Sequence, residues 1–536
     1  MRFTVNALGG ALLVVSAALL AQPAPADAFC GFYVGGADAK LYNNATMVVM
    51  MREGTRTVLS MQNNYQGPPE NFAMVVPVPV VLQKENVKTL PREVFDRVDT
   101  LAAPRLVEYW EKDPCEPEID YREMAMAPGA ARGAMNDEGA AIGGSHGVKI
   151  EAQFTVAEYD IVVLSAKDST GLDTWLHVNK YHIPDGAEPL LRPYVADGSK
   201  FFVAKVDPKK VTFKDGQAML SPLRFHYDTD EFKLPVRLGL INSNGTQDLI
   251  VHIIARNQRY EVANYPNVTI PTNINVGEDI RGVGFARFYA ALFDATLEKN
   301  PKAVVTEYSW SANNCDPCPS APLSGNELVT LGADVLPNMR PDEIQYGYGF
   351  VLTRLHARYG KESLGEDLVF KAAPPIVGGR EFVQSEGKLE QGSRPDSNNN
   401  FQGRYAIRHE WKGAIACDKP IRGRWGGPWA SVTDAHTQPS AAKDLAFAPR
   451  GGVQLGTLVR QDVPEIGLKM GALGVTGPAA VPVEPKKAGA TDAPKGKACG
   501  CRVGGAGERA PRGALVAFAI GALLLLRSRR RRPRHA

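Results

Sequence analysis

P-loop, strand-anchored GxGxxG and HExxH signatures are all missing from this chain of 536 residues. Each absence removes a familiar way of doing chemistry: a backbone cradle for phosphates, a dinucleotide site at a helix N-terminus, a zincin-type hydrolase. Sites assembled from carboxylates on distant strands leave no local trace and stay open. An excess of one charge is missing too. The formal net charge of +3 includes both termini, whereas residues 29–501 carry 51 basic and 56 acidic side chains, a net charge of −5. A mildly acidic body gives no electrostatic reason to expect nucleic acid as a partner. Cysteine is scarce, at seven residues. The single CxxC has no second CxxC or HxxxH nearby to complete four zinc ligands. No metal and no cofactor is expected.

What the chain does have is apolar material, 44% of its residues, enough for one large core or two ordinary ones. It also has two end segments that read as addresses. Residues 1–28 combine one arginine, an apolar segment to Leu20 and then small residues and prolines, the pattern of a secretory signal peptide. Ala26 and Ala28 place the cut between Ala28 and Phe29; an uncleaved N-terminal anchor is the alternative. At the other end, residues 513–526 form an apolar run of 14 residues, which as a helix reaches ~21 Å against a hydrocarbon core of ~30 Å. Six arginines follow and favour a cytoplasmic location for that end. Residues 478–498, rich in Pro, Ala, Lys and Gly, read as an extended tether of at most ~65 Å.

The body between reads as α+β, a largely antiparallel sheet with a few packed helices. "TMVVMMREGTRTVLSMQ" predicts a hairpin across Glu53-Gly54, its first arm apolar on both faces and therefore central. "FAMVVPVPVVL" at 72–82 is extended, but Pro77 and Pro79 assign it to an edge. In 91–112, Val94, Val98, Leu101, Leu106, Tyr109 and Trp110 recur at helical spacing, with a kink or restart at Pro104. A flexible loop is expected at about 122–148. Strict alternation predicts a strand at 149–156 paired with 159–165, followed by helix around 171–195. Strands are expected at 200–213, 234–241, 247–256, 258–263, 303–310, 346–357 and 366–372. Phe285, Phe288, Tyr289, Leu292 and Leu297 form one face of a helix ending at Asn300-Pro301. Residues 376–477, irregular but holding Trp411, Trp425 and Trp429, should pack on the body, since such rings are rarely left in water.

Five cysteines, Cys30, Cys115, Cys315, Cys318 and Cys417, are disulfide candidates outside the cytoplasm, with Cys30–Cys115 the first pairing expected. "NNCDPCPS" has the spacing of a thiol exchanger, yet Pro319 and Pro322 follow where such an enzyme needs a helix N-terminus; a structural disulfide is the expectation. His226, Asp228, Asp230 and Glu231 could offer oxygens to Ca²⁺ but read as a solvated acidic turn. His177 and His182, five apart, do not share a helical face. Tyr346, Tyr348 and Phe350 read as an aromatic core stripe on a strand rather than a binding platform.

Two resemblances add to this. "FCGFYVGGADAKLYNNATMVVMMREGTRTVLSMQNNYQGPPENFAMVVPVPV" and "REVFDRVDTLAAPRLVEYWEKDPC" resemble the DUF2330 family of exported bacterial proteins over about 29–375. The resemblance implies an exported domain and carries over no catalytic residue. The tail from 498 to 534, cysteine then Gly-rich spacer, short apolar helix and arginine cluster, resembles the MYXO-CTERM sorting signal of myxobacterial surface proteins. That resemblance implies cleavage by a membrane-embedded sorting protease near Cys499 or Cys501, after a signal peptidase has acted at the other end. A plain uncut anchor is the alternative. The expected organisation is signal peptide 1–28, body 29–375, extension 376–477, tether 478–498 and sorting signal 499–536. The expected function is a membrane-anchored surface protein with a structural, adhesive or ligand-binding role; the alternative is an exported hydrolase or a thiol-disulfide exchanger using Cys315 and Cys318.

Overall fold

The hairpin that opens the body turns at Gly54, whose φ of +56° suits a residue without a Cβ. It joins strands Ala45–Glu53 and Arg56–Gln62 with Glu53 opposite Arg56. This is the start of a computed structural model that describes residues 32–34, 45–62, 65–66, 73–116, 148–179, 181, 187–214, 217–242, 247–360, 365–380, 390–430, 432, 436–442 and 451–472. The readings made for the loop at 122–147, the tether, the tail, Ala28, Phe29, Cys30, Cys499 and Cys501 lie outside the described residues.

Ala45–Glu53 sits inside a main sheet of 11 strands, parallel to Gln247–Arg256 on one side and antiparallel to Arg56–Gln62 on the other. The sheet continues from Gln247–Arg256 through Phe350–Tyr359, Val304–Ser311 and Asn400–Gln402, and from Arg56–Gln62 through Leu223–Asp228 to Val87–Thr89. Because Ala45–Glu53 is apolar at every position from Met47 to Met51, it can bury both faces. Val48 and Met50 pack toward a second sheet, Val49 and Met51 toward helices.

The second sheet runs Phe32–Val34, Ala73–Val78, Lys200–Val206, Tyr159–Ala166, Val148–Val156. Its inner face meets the main sheet through Met74, Val76, Ile161, Val163, Phe202 and Ala204. Its outer face is covered by helices Ser169–Val178 and Glu188–Ala196 through Leu172, Leu176 and Leu191. The far face of the main sheet is covered by helices Glu93–Ala102, Phe285–Lys299 and Gly325–Leu331. The layers are therefore helices, sheet, sheet, helices, a mainly antiparallel α+β arrangement in which the two large sheets are packed on both faces.

Several local readings change. Residues 105–111 form a strand, Arg105–Glu111, not helix: the first helix ends at Ala103, whose ψ of 147° is the extended value a residue before proline favours. This strand pairs in parallel with Arg404–His409 and antiparallel with Trp425–Gly426, so its partners lie about three hundred residues away in sequence. Residues 200–213 split at Asp207-Pro208 into Lys200–Val206 and Thr212–Lys214. Of 234–241, only Lys233–Leu234 is strand, and Arg237–Asn242 turns as a 3₁₀ helix. The Ala73–Val78 strand is not an edge, since Phe32–Val34 and Lys200–Val206 flank it. Phe32–Val34 pairs only with Ala73 to Val75, however, so Pro77 has no strand neighbour on that side and stands opposite Phe201 on the other.

The stretch after residue 376 takes part in the core. Phe401, Tyr405, Leu455, Leu458, Val459 and Ile466 pack with Phe288, Leu292 and Phe293 of the Phe285–Lys299 helix. Phe401→Ala should therefore lower stability by about 3–5 kcal/mol, as in a central core position. Urea denaturation at constant m-value checks this; a loss under about 1 kcal/mol would mean that the packing is peripheral.

Candidate functional site

Strand Phe350–Tyr359 alternates in an unusual way. Leu355 and Ala357 face the second sheet, while Arg354, His356 and Arg358 point under the helices. Arg354 donates from Nε to Glu307 Oε2 at 2.5 Å and from Nη1 to Asp99 on the first helix. His356 stands between Glu307 Oε1 at 2.7 Å and Asp248 Oδ1 at 3.1 Å. Arg358 donates from Nε to Asp248 Oδ1 at 3.0 Å and from Nη1 to Asp294 on the Phe285–Lys299 helix. The result is a line of alternating charge, Asp99, Arg354, Glu307, His356, Asp248, Arg358, Asp294, crossing the sheet from one helix to the other.

A β-bulge makes this line possible. Thr306 opposes Leu355 and Tyr308 opposes Arg354, leaving Glu307 as the extra residue. The bulge re-aims its carboxylate between Arg354 and His356. Glu307 has no exposed surface, and its Oε1 also accepts from Tyr289 Oη at 2.5 Å. Phe293 closes the line from above, its ring stacked on His356 at 3.8 Å and its face under the Arg358 guanidinium.

Burial pushes the Glu307 carboxyl up, but the charges of His356 and Arg354 and the bonds from His356 and Tyr289 outweigh it and hold it down to about 2. Burial pulls His356 down, and Glu307 with Asp248 more than compensates, so its pKa is raised. Asp248 is held low against burial by Arg358 and His356. Asp294 is the exception, raised because burial outweighs Arg358. His252, buried with Nε2 at 3.3 Å from Arg354 Nη1, is driven well below its ordinary value by burial and that guanidinium. Burial and Arg354 thus favour the neutral form of His252, and the flanking carboxylates favour the protonated form of His356, within one layer. The middle of the line, Arg354, Glu307, His356 and Asp248, is buried, and only Asp99 and Arg358 toward its ends are partly exposed, so the line braces helices against the sheet rather than offering an acid or base to a substrate.

The CxxC residues form a disulfide, Cys315–Cys318, in the connection between strand Val304–Ser311 and helix Gly325–Leu331; both cysteines are half-buried. Helix Gly325–Leu331 starts at Ser324, well after the motif, capped by Ser324 and Glu327 in a capping box. Beneath the motif lie Arg105, donating from Nη1 to the Pro317 carbonyl at 2.8 Å, and Gln402, donating from Nε2 to the Asp316 carbonyl at 2.5 Å. The second disulfide is Cys115–Cys417, not Cys30–Cys115: the pairing of Arg105–Glu111 with Arg404–His409 delivers Cys417 to Cys115 across a separation of 302 residues.

The remaining candidates disperse. His226 and Asp228 lie on strand Leu223–Asp228, and Asp228 is ion-paired with Arg56 at 2.9 Å. Among the described residues no group of three or more His, Cys, Asp or Glu is placed to hold a metal. His177 is on helix Ser169–Val178, 3.6 Å from Asp173. The aromatic stripe breaks up, because Pro341–Tyr346 is a helix, Gly347 ends it at a φ of +66°, and the strand begins only at Phe350. Tyr348 is exposed while Phe350 is buried. The spelling GxSxG does occur, at residues 143–147. It leads into the Val148–Val156 strand instead of a helix, the wrong order for a nucleophile elbow. Sequence reasoning missed the charge line itself. Its visible signal was Arg354, His356 and Arg358 at every second position, interleaved with apolar residues.

Glu307→Gln keeps the shape and removes the charge that Arg354 and His356 share, leaving Arg354 with Asp99 alone and His356 with Asp248 alone, and should cost about 3–5 kcal/mol. For His356, the raised pKa means stability that is complete below about pH 6.5 and lost as pH rises through the folded value. For His252, whose pKa is lowered, stability is lost as pH falls below about 6.5, where only the unfolded chain takes the proton. His356→Gln should therefore abolish a decline in Tm on the alkaline side and leave the acid-side decline in place. Thermal melts from pH 5 to 9 read this directly, and an unchanged alkaline slope would refute the charge assignment.

The profile of a family described as "Uncharacterized protein conserved in bacteria (DUF2330)" matches residues 24–371. No curated protein and no solved structure matches the chain. The matched span includes every member of the charge line and the CxxC motif, and it stops before strands Asn400–Gln402 and Arg404–His409. Matched over well more than half its length, the chain belongs to the DUF2330 family.

Proposed function

We propose that this is an exported cell-envelope protein, held outside the cytoplasm by its C-terminal segment, that serves a structural, adhesive or ligand-binding role rather than a hydrolytic one. The observation that carries the reading is the Cys115–Cys417 disulfide. A bridge closing 302 residues of chain constrains the unfolded state strongly and suits an oxidising compartment. The signal-peptide pattern at 1–28 and the sorting-signal resemblance at 499–536 agree with that compartment. Against hydrolysis stands the burial of the centre of the charge line, covered by Phe293 and by the helices. The sorting protease and signal peptidase are then its processing enzymes, and the membrane its partner through the tail.

Intact mass of the protein from the membrane fraction tests this. The expected product begins at Phe29, lacks residues beyond the region of Cys499 and Cys501, and carries Cys115–Cys417 oxidised. A full-length chain in the cytosol with its cysteines reduced would overturn the reading.

A further inference from the structure

The two disulfides differ in a way that points to different uses. Cys115–Cys417 closes a loop of about three hundred residues, whereas Cys315 and Cys318 are three apart. By chain entropy, the short loop restrains the unfolded state far less. Nor is the short bridge needed to shape its own loop. Ala312 and Leu323 close the loop through a backbone bond of 3.0 Å. Arg97 holds the carbonyls of Ala321 and Pro322 at 2.8 and 3.2 Å. Both carbonyls between the cysteines are gripped from below, Asp316 by Gln402 and Pro317 by Arg105. A dithiol there would keep the same frame.

Arg105 supplies the second requirement, a stabilised thiolate. It is fully buried, and the acceptors of its guanidinium bonds are the carbonyls of Leu101, Ala103 and Pro317, with the Tyr308 ring alongside. No carboxylate is among those contacts. Its charge is therefore felt next to the motif, one residue before Cys318, in a poorly screened setting. The other charged groups around the loop and Arg105 include Arg97 with its partner Glu327, Asp316, and the guanidiniums of Arg404 and Arg354. Asp316 is exposed, where water weakens its effect, while Arg105 is not. The positive potential that a thiol exchanger draws from a helix N-terminus comes here from a buried guanidinium.

We propose that Cys315–Cys318 is an exchangeable disulfide that accepts two electrons from a dithiol partner, with Arg105 as a positioning residue. A partner thiolate attacks Cys315 Sγ; the S–S bond breaks and Cys318 leaves as a thiolate, one residue from the Pro317 carbonyl that Arg105 holds. The partner's second thiolate then attacks its own sulfur in the mixed disulfide and releases Cys315. The partner ends as a disulfide, and the protons of its two thiols pass to Cys315 and Cys318 through water, so atoms and electrons balance. This goes beyond the anchored binding role proposed above and is independent of where the tail is cut.

The test equilibrates the full oxidised protein in reduced and oxidised dithiothreitol buffers, traps free thiols by alkylation and maps them by mass. Half-reduction of Cys315–Cys318 is expected at a potential at least 60 mV less negative than that of Cys115–Cys417, about a hundredfold in equilibrium constant, with the circular-dichroism spectrum unchanged. Arg105→Met should shift the exchange constant toward the disulfide by about tenfold, and Arg105→Lys by less. If Arg105→Met does not fold, the alkylation rate of the reduced wild-type pair against pH replaces it, with a midpoint expected below the ~8.5 of a free cysteine. A reduced dithiol peptide should be oxidised one-for-one by the wild type and not by Cys315→Ser. Reduction of the two bridges together, survival of Cys315–Cys318 until the protein unfolds, or a midpoint at or above ~8.5 overturns the proposal.

Discussion

Four carboxylates, two guanidiniums and one imidazole share a mostly buried layer, and the architecture follows from how they neutralise one another. An isolated ion there would cost several kcal/mol. Strung in alternation, each carboxylate meets a cation, and each cation but the imidazole meets one carboxylate on the sheet and one on a helix. Asp99 ties the first helix to the line and Asp294 ties the Phe285–Lys299 helix to it. The helices are thus set on the sheet by direction as well as by greasy contact. Apolar packing alone would tolerate sliding; a guanidinium with fixed donors on both sides does not.

The line lies on the helix-covered side of the main sheet. The side facing the second sheet is built mainly from Val, Met, Leu, Ile and Phe, with the buried Arg52 at its end satisfied by Thr57 and by the carbonyls of Thr229 and Asp230. The acids of the line come from the helices as well as from the sheet. The Glu307 bulge sits on that boundary, a local break in the ladder that supplies one carboxylate where two cations require it.

How much of this could be read from the residues depends on distance along the chain. The Gly54 hairpin, the Val148–Val156 and Tyr159–Ala166 pair and the Phe285–Lys299 helix were legible, because period and turn chemistry are local. Arg105–Glu111 was not. Its residues carry helical spacing as well as strand-forming side chains, and only the distant Arg404–His409 decides between them. The bulge at Glu307 leaves no pattern, because one extra residue looks like any other. Arg354, His356 and Arg358 did leave a pattern of period two in a strand otherwise apolar, overlooked beside the nearby tyrosines. The CxxC was visible, but the guanidinium beneath it came from a segment read as helix, so its electrostatic setting could not be inferred.

Among the described residues, the sheet partners of strand Arg105–Glu111 all come from far along the chain: Arg404–His409, Trp425–Gly426 and Ser440–Ala441. A ribosome makes those partners last. Until they emerge, this strand lacks its described sheet partners and the Phe285–Lys299 helix lacks the part of its cover that Phe401, Tyr405 and Leu455 provide, so the polypeptide has to be kept from premature association for much of its synthesis. A topology that saves its closing pieces for the end gives the growing chain a long waiting period.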